Sequence, residues 1–273
     1  MALAKVNSAA VVGLDAVPIE VEVDIAQQGL PSFTIVGLPD KAIEESKERV
    51  RSAIKNSGAN FPAKRITVNL APADIKKEGP AYDLAIALGI LAADEQIPKL
   101  ASDFIFVGEL ALNGNLRHIN GILAIVSSLR KEMVGIILPE INAPEASLVK
   151  NIKIIPAKNL QDLIYYFKKE KDLPAYYKKF KIALPEKTEY DLAYVKGQEQ
   201  AKRALEISAA GGHNLFFSGP PGSGKTLLAR TLPTILPSMT EEETIEVTKI
   251  FSVSGLLPNN EPLVNHRPFR SPH

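Results

Sequence analysis

The run Asn214-Leu215-Phe216-Phe217-Ser218-Gly219-Pro220-Pro221-Gly222-Ser223-Gly224-Lys225-Thr226 decides how this chain is read. A short apolar segment of strand character, Asn214 to Phe217, leads into a loop that matches G-x-x-x-x-G-K-[ST] at every fixed position. A helix is expected from about Lys225 until Pro233. Each residue type has a physical reason. Glycines let the backbone pass close to an anion and adopt positive φ. The amides of such a loop and of the helix N-terminus after it aim partial positive charge at phosphate. Lys225 adds a compact cation for the outer phosphates, and the Thr226 hydroxyl is suited to ligate Mg²⁺. The expectation is a nucleoside triphosphate site, for ATP with Mg²⁺, built from Gly219, Pro220, Pro221, Gly222, Ser223, Gly224, Lys225 and Thr226.

Hydrolysis needs a further carboxylate, at the end of a second strand. No apolar run ending in Asp or Glu follows Thr226. Glu241, Glu242 and Glu243 fall in a polar helical segment and read as solvated surface. The sequence stops abruptly at Phe269-Arg270-Ser271-Pro272-His273, which reads as a cut inside the nucleotide-binding domain. ATP binding without hydrolysis is therefore the expectation for this chain, with no catalytic residue assigned. His266, Arg267 and Arg270 form a small basic cluster, read either as a solvated loop or as a contact for nucleic acid or a neighbouring subunit. His213, just before the apolar run, reads as structural. Upstream, Gln198 to Ala210 is helical, with Ala201, Ala204, Leu205 and Ser208 on one face.

Between residues 168 and 188 the chain is rich in lysine and interrupted by Pro174 and Pro185, which disfavour helix. It reads as an exposed basic linker. Because Tyr176, Tyr177 and Phe180 interleave with the lysines, an arm that contacts nucleic acid stays open beside it. Before the linker the pattern is mixed. Ile19, Val21, Val23 and Ile25 alternate with Glu20, Glu22 and Asp24, the period of a half-exposed strand. Phe33 to Val36 and Ile66 to Leu70 are further strands. Asp40 is placed to cap a helix whose face carries Ile43, Val50, Ala53 and Ile54, with Gly58 as its stop. Tyr82 to Ala93 reads as a buried helix. Phe104 to Leu112 is strand-like and ends in a turn at Asn113-Gly114, a hairpin signal. Ile122 to Leu129 is helical, Gly135 to Leu138 and Ile152 to Ile155 are strands, and Asn159 to Phe167 is a final helix. Strands and helices alternate without a strict βαβ rhythm, which implies α+β.

The length of 273 residues suits one large domain or two ordinary ones, and 45% apolar and 23% charged residues is an ordinary globular composition. The formal net charge of +1 gives no whole-chain field toward polyanions. With no cysteine, disulfides, thiolate metal sites and thiol catalysis are excluded. Residues 1–10 lack the pattern of a secretory signal. The longest apolar stretch, Leu84 to Ala93, is too short to span a bilayer. The cytoplasm is the expected location, with no membrane partner.

Three segments resemble the start of the magnesium-chelatase-like AAA+ module: Val195-Lys196-Gly197-Gln198, Gly211-Gly212-His213-Asn214-Leu215, and the loop from Gly219 to Thr226. Phe269 to His273 fits the same pattern, and the whole chain resembles the amino-terminal part of the ComM/YifB-type proteins. Residues 1–167 are similar to an inactive Lon-protease-like domain of the ribosomal-protein-S5 domain-2 type. That likeness is carried by Glu78-Gly79-Pro80-Ala81-Tyr82-Asp83-Leu84, by Gly108-Glu109-Leu110, and by the stretch from Asn113 through Leu123. The resemblance implies an α+β Lon-like domain (1–167), the linker (168–188) and an incomplete α/β P-loop domain of AAA+ type (189–273). It implies that Gly197 and Gln198 lie by the adenine base. It implies an ATP-driven, hexameric DNA helicase or branch-migration motor in competence and recombination. A magnesium-chelatase-like remodelling chaperone, and a nucleotide-binding fragment without activity, are the other readings. A peptidase is disfavoured, because the positions matching the serine nucleophile and lysine base are Ala81 and Leu123, which cannot do that chemistry.

Overall fold

The computed structural model describes residues 2–129, 133–178, 190–258 and 261–271. Residues 179–188 of the expected linker, and Pro272-His273, lie outside them. The chain forms two compact units. One comprises residues 1–179 with 249–262, and the other residues 180–248 with 263–273.

The first unit is a mixed α/β structure. Its strands are β1 (Ala2–Val12), β2 (Asp15–Ala26), β3 (Ser32–Val36), β4 (Arg65–Ala71), β5 (Phe104–Phe106), β6 (Glu109–Leu110), β7 (Leu116–Arg117), β8 (Gly135–Pro139) and β9 (Lys153–Ala157). Seven of them make one sheet in the order β3-β4-β2-β1-β5-β8-β9. β2 runs antiparallel to both β1 and β4, and the remaining neighbours are parallel. The alternation in β2 is the cause of its placement. Ile19, Val21, Val23 and Ile25 are buried while Glu20, Glu22 and Asp24 line the other face. There Lys5 of β1 bridges Glu20 at 2.8 Å and Glu22 at 3.0 Å.

The helices of this unit are α1 (Lys41–Asn56), α2 (Asp83–Ala93), α3 (Ile122–Ser127), α4 (Ala143–Ala146) and α5 (Leu160–Phe167). Asp40 caps α1, one carboxylate oxygen accepting from the Ile43 amide at 2.9 Å and the other from Gly79 at 3.0 Å. α1 turns Ile43, Val50, Ala53 and Ile54 inward. α2 is buried almost all round, as an apolar helix without a polar face must be. It packs on β1, β2 and α1. The approach to the sheet is close because Gly89 lacks a side chain: a Cβ there would stand 2.6 Å from a Val23 methyl carbon.

At the head of α2, Asp83 is fully buried. Its oxygens accept from Arg49 Nε at 2.7 Å, Arg49 Nη2 at 3.1 Å and the Leu110 amide at 3.2 Å. One carboxylate thus joins α1, α2 and β6. Burial pushes Asp83 up to about 6, outweighing the pull of Arg49. The folded value lies above the ordinary aspartate value of 3.8. The folded chain therefore takes up this proton first, and this group adds stability as pH falls from about 6 toward that value.

Several expectations need correction. The run Phe104 to Leu112 is not one strand. Gly108 interrupts it, donating to the Ala81 carbonyl at 2.8 Å and accepting from the Leu84 amide at 3.1 Å, so the entry to α2 takes the bonds a ladder would need. The turn at Asn113-Gly114 joins β6 to β7 instead. β1 lies in the stretch read only for the absence of a signal peptide. A single cut at the linker does not describe the units either, because residues 249–262 belong with the first. The cause is Glu145, a buried carboxylate that needs donors. It accepts from the Leu123 amide at 2.8 Å and from Ser252 Oγ at 2.5 Å.

The second unit holds the helices α6 (Glu199–Gly211) and α7 (Lys225–Ile235), and α8 (Glu241–Val253) begins in it and ends, with Ser252, among the residues of the first. Among the described residues no helix is long and apolar enough to cross a membrane. Replacing Asp83 by Ala strands Arg49 and the Leu110 amide. We expect a loss of about 3 kcal/mol at pH 7, read as a lowered urea midpoint; an unchanged midpoint contradicts the role given to this carboxylate.

Candidate functional site

The glycine-rich loop occupies the turn before α7. Gly222 has φ 78° and Gly224 φ 85°, the left-handed region that side chains with a Cβ adopt at a cost. Neither would meet another atom within 4 Å if a Cβ were added. The requirement for glycine there is the backbone conformation, and the space beside it is open. Gly224 starts the helix, its carbonyl accepting from the Leu228 amide at 2.9 Å. The first-turn amides of a helix have no partner within it.

Lys225 bends back over the loop. Its ammonium donates to the Gly219 carbonyl at 3.0 Å, the Pro220 carbonyl at 2.8 Å and Ser223 Oγ at 3.3 Å. The structure thus brings Gly219, Pro220, Ser223 and Lys225 into one hydrogen-bonded turn, with the lysine facing into it. Pro221 and Thr226 are exposed at the same turn. Gly197 and Gln198 are placed apart in the sequence, at the start of α6. Both have positive φ, 64° and 62°, both are exposed, and neither hydrogen-bonds the loop among the described residues.

Two expectations around the loop fail. Asn214 to Phe217 is not a strand. A strand exists through its ladder, and the second unit offers no partner strand among the described residues; Phe216 is 88% exposed. The helix after the loop does not stop at Pro233 but runs to Ile235. The donor that proline lacks is missing only in the last turn.

Other residues were not legible as parts of this unit. Tyr190 holds α7 through Arg230, whose guanidinium lies 5.2 Å from the ring centre and donates to the phenol oxygen at 3.0 Å. Glu243 is not mere solvated surface. It closes a capping box with Thr240, each amide bonded to the other's side chain, at 2.9 and 3.1 Å. It also pairs with Arg267 at 3.0 Å, and these contacts hold its carboxyl below the usual range. Arg267 donates to the Pro237 carbonyl as well, so it does not stand with His266 and Arg270 as a loose basic cluster. In the first unit, Ala81 is partly buried and Leu123 wholly so, and neither side chain carries a group able to attack or take a proton.

A family described as subunit ChlI of Mg-chelatase matches residues 21–142, and one described as magnesium chelatase, subunit ChlI, matches residues 191–273. The chain is 44% identical over 279 residues to the competence protein ComM of Haemophilus influenzae, covering all of this chain and 54% of that protein. The chain belongs to the ComM/YifB-type, magnesium-chelatase-like family. This ChlI-like chain is also 44% identical over 277 residues to YifB of Escherichia coli, covering 53% of it. It therefore spans about half the length of these relatives. An archaeal Lon protease of Methanocaldococcus jannaschii is 31% identical over 102 residues, which cover 37% of this chain and 16% of that enzyme.

Since open space surrounds Gly224, its replacement by Ala tests backbone strain apart from packing. We expect a loss of about 1 kcal/mol in thermal unfolding, and less for Asn, which tolerates the left-handed region; equal stability of all three chains would argue against the conformation described.

Proposed function

We propose that this chain holds ATP with Mg²⁺ at the loop Gly219 to Thr226 and forms the nucleotide-binding part of an AAA+ motor that works on DNA. The observation that carries the reading is the bend itself: two glycines in left-handed conformation, an inward lysine and a helix N-terminus meet at one turn. In this reading the backbone of Gly219, Pro220, Pro221, Gly222, Ser223 and Gly224 wraps the phosphates. Lys225 moves its ammonium from the loop carbonyls to the outer phosphates, and Thr226 presents its hydroxyl to Mg²⁺. The ion would offset phosphate charge and orient the group for transfer. Gly197 and Gln198 are proposed beside the adenine.

Family membership supports a AAA+ machine, and the name of the Haemophilus relative supports a link to competence. From these we infer a hexameric ring in the cytoplasm acting as a DNA helicase or branch-migration motor during recombination of incoming DNA. The likeness to an archaeal Lon protease supports a Lon-like, S5 domain-2-type reading of residues 1–167, as a scaffold without peptidase chemistry, followed by the basic linker and the P-loop domain. A second reading, a remodelling chaperone of the chelatase kind, is favoured by the two family descriptions, both of which name a magnesium-chelatase subunit.

Lys225→Ala should weaken binding of a fluorescent ATP analogue with Mg²⁺ by roughly 100-fold, the scale of losing one partner of a charged contact; native affinity in that variant would refute the loop assignment. In a protein of the relatives' full length, branched or single-stranded DNA should raise ATP turnover several-fold. Turnover indifferent to both DNAs would remove the motor reading and leave the chaperone.

A further inference from the structure

The two edges of the large sheet differ. At β9 the Tyr176 amide donates to the Ile154 carbonyl at 2.8 Å, so a following segment already meets that edge. At the other end β3, Ser32-Phe33-Thr34-Ile35-Val36, has no neighbouring strand but β4 among the described residues. The Ser32 amide donates toward β4, to the Lys64 carbonyl at 3.4 Å. Backbone groups alternate sides along a strand. The amides and carbonyls of Phe33 and Ile35 therefore point away from β4, where no strand takes them.

Natural edges are commonly guarded by a charge, a proline or a bulge. β3 contains no charge and no proline, and its register with β4 is continuous. From Ala26 to Pro39 no charged residue occurs, in a chain that is 23% charged. Apolar side chains are exposed there instead: Leu30 at 88%, Val36 at 42% and Leu38 at 56%. Leu38 also holds φ 55°, a strained conformation for a bulky residue.

We propose that β3 pairs with β3 of a second copy of this chain, antiparallel about a two-fold axis at Thr34. In that register the strand is complementary to itself. Phe33 lies opposite the partner's Ile35, and each such pair exchanges two N–H···O bonds. The symmetry of the contact makes two of these pairs. Ile35 is buried in the main core and Phe33 packs against it, so the apolar layer continues from one copy into the other. On the exposed face Thr34 meets the partner's Thr34, a favourable cross-strand pair. Leu30 and Leu38 stand four positions on either side of Thr34, so Leu30 falls beside the partner's Leu38. An unrelated extended peptide would satisfy the backbone groups but has no reason to match the two leucines. Nucleic acid finds no cation anywhere from Ala26 to Pro39.

The test is sedimentation velocity of the 273-residue chain without nucleotide, over protomer concentrations of about 1–100 µM. The native chain should form dimers. Thr34→Lys sets two ammoniums opposite each other and should weaken the dimer roughly tenfold or more. The chain has no cysteine, so Thr34→Cys gives a single thiol on the axis. Across such a pair the Cα atoms stand about 4.5 Å apart, within the span of a disulfide. Oxidation with diamide should link Thr34→Cys into covalent dimers at least about ten times faster than Lys99→Cys, which is exposed away from β3. Thr34 is exposed, and native thermal unfolding in its variants confirms the fold; should Thr34→Lys fail to fold, the Thr34→Cys rate decides. The proposal is overturned if the native chain sediments as single copies throughout, which is also the result if another protein's strand is the natural occupant. It is equally overturned if folded Thr34→Lys dimerises as the native chain does, or if Thr34→Cys links no faster than Lys99→Cys. Lys225→Ala should dimerise normally, so this pairing stands or falls apart from the phosphate-loop reading.

Discussion

A carboxylate without water around it has to be given donors, and Asp83 takes them from two separate elements. Arg49 comes from α1 and the Leu110 amide from β6, while Asp83 itself heads α2. This fixes where α2 starts and which way it faces. Once α2 is fixed, Gly89 sets how closely it lies on β1 and β2. The exchange of bonds between Gly108 and residues Ala81 and Leu84 then ends β5 and starts β6. The ion pair is a positioning device more than a source of net stability, since burial costs the carboxylate more than Arg49 returns.

What could be read from the sequence was what local chemistry determines. The period-two run in β2, the Asp40 cap and the Asn113-Gly114 turn each state their conformation within a few residues, and each occurs as read. β1 did not show itself, because its buried positions include Ser8, Ala9 and Ala10, too small and polar to make an alternating pattern. Asn214 to Phe217 had the composition of a strand, but composition cannot supply a ladder. Ser252 belongs with the first unit through a carboxylate 107 positions away, a relation without local signature.

The bend before α7 was legible for the same reason that β2 was, because the spacing of Gly222 and Gly224 before Lys225 dictates a turn into a helix. Its supports were not. Tyr190 on Arg230 and Arg267 on Glu243 join residues 40 and 24 positions apart, and either arginine alone reads as an ordinary surface charge. The lysines and tyrosines after α5 were visible as an interleaved string. Only the bond from Tyr176 to Ile154 shows that the described part of the string, at Tyr176, meets the sheet edge at β9.

Under the proposed reading of the loop as a polyphosphate site, the bonds Lys225 makes here bear on selectivity. Its ammonium is already solvated by the loop's own oxygens, so an arriving anion must win an exchange rather than fill a vacancy. A single weakly basic oxyanion such as sulfate gains little by displacing two carbonyls and a hydroxyl. A chain of linked phosphates, held at once by several amides, can offset that loss with contacts elsewhere. Such a latch favours long, multiply charged ligands over the small anions that crowd a cell.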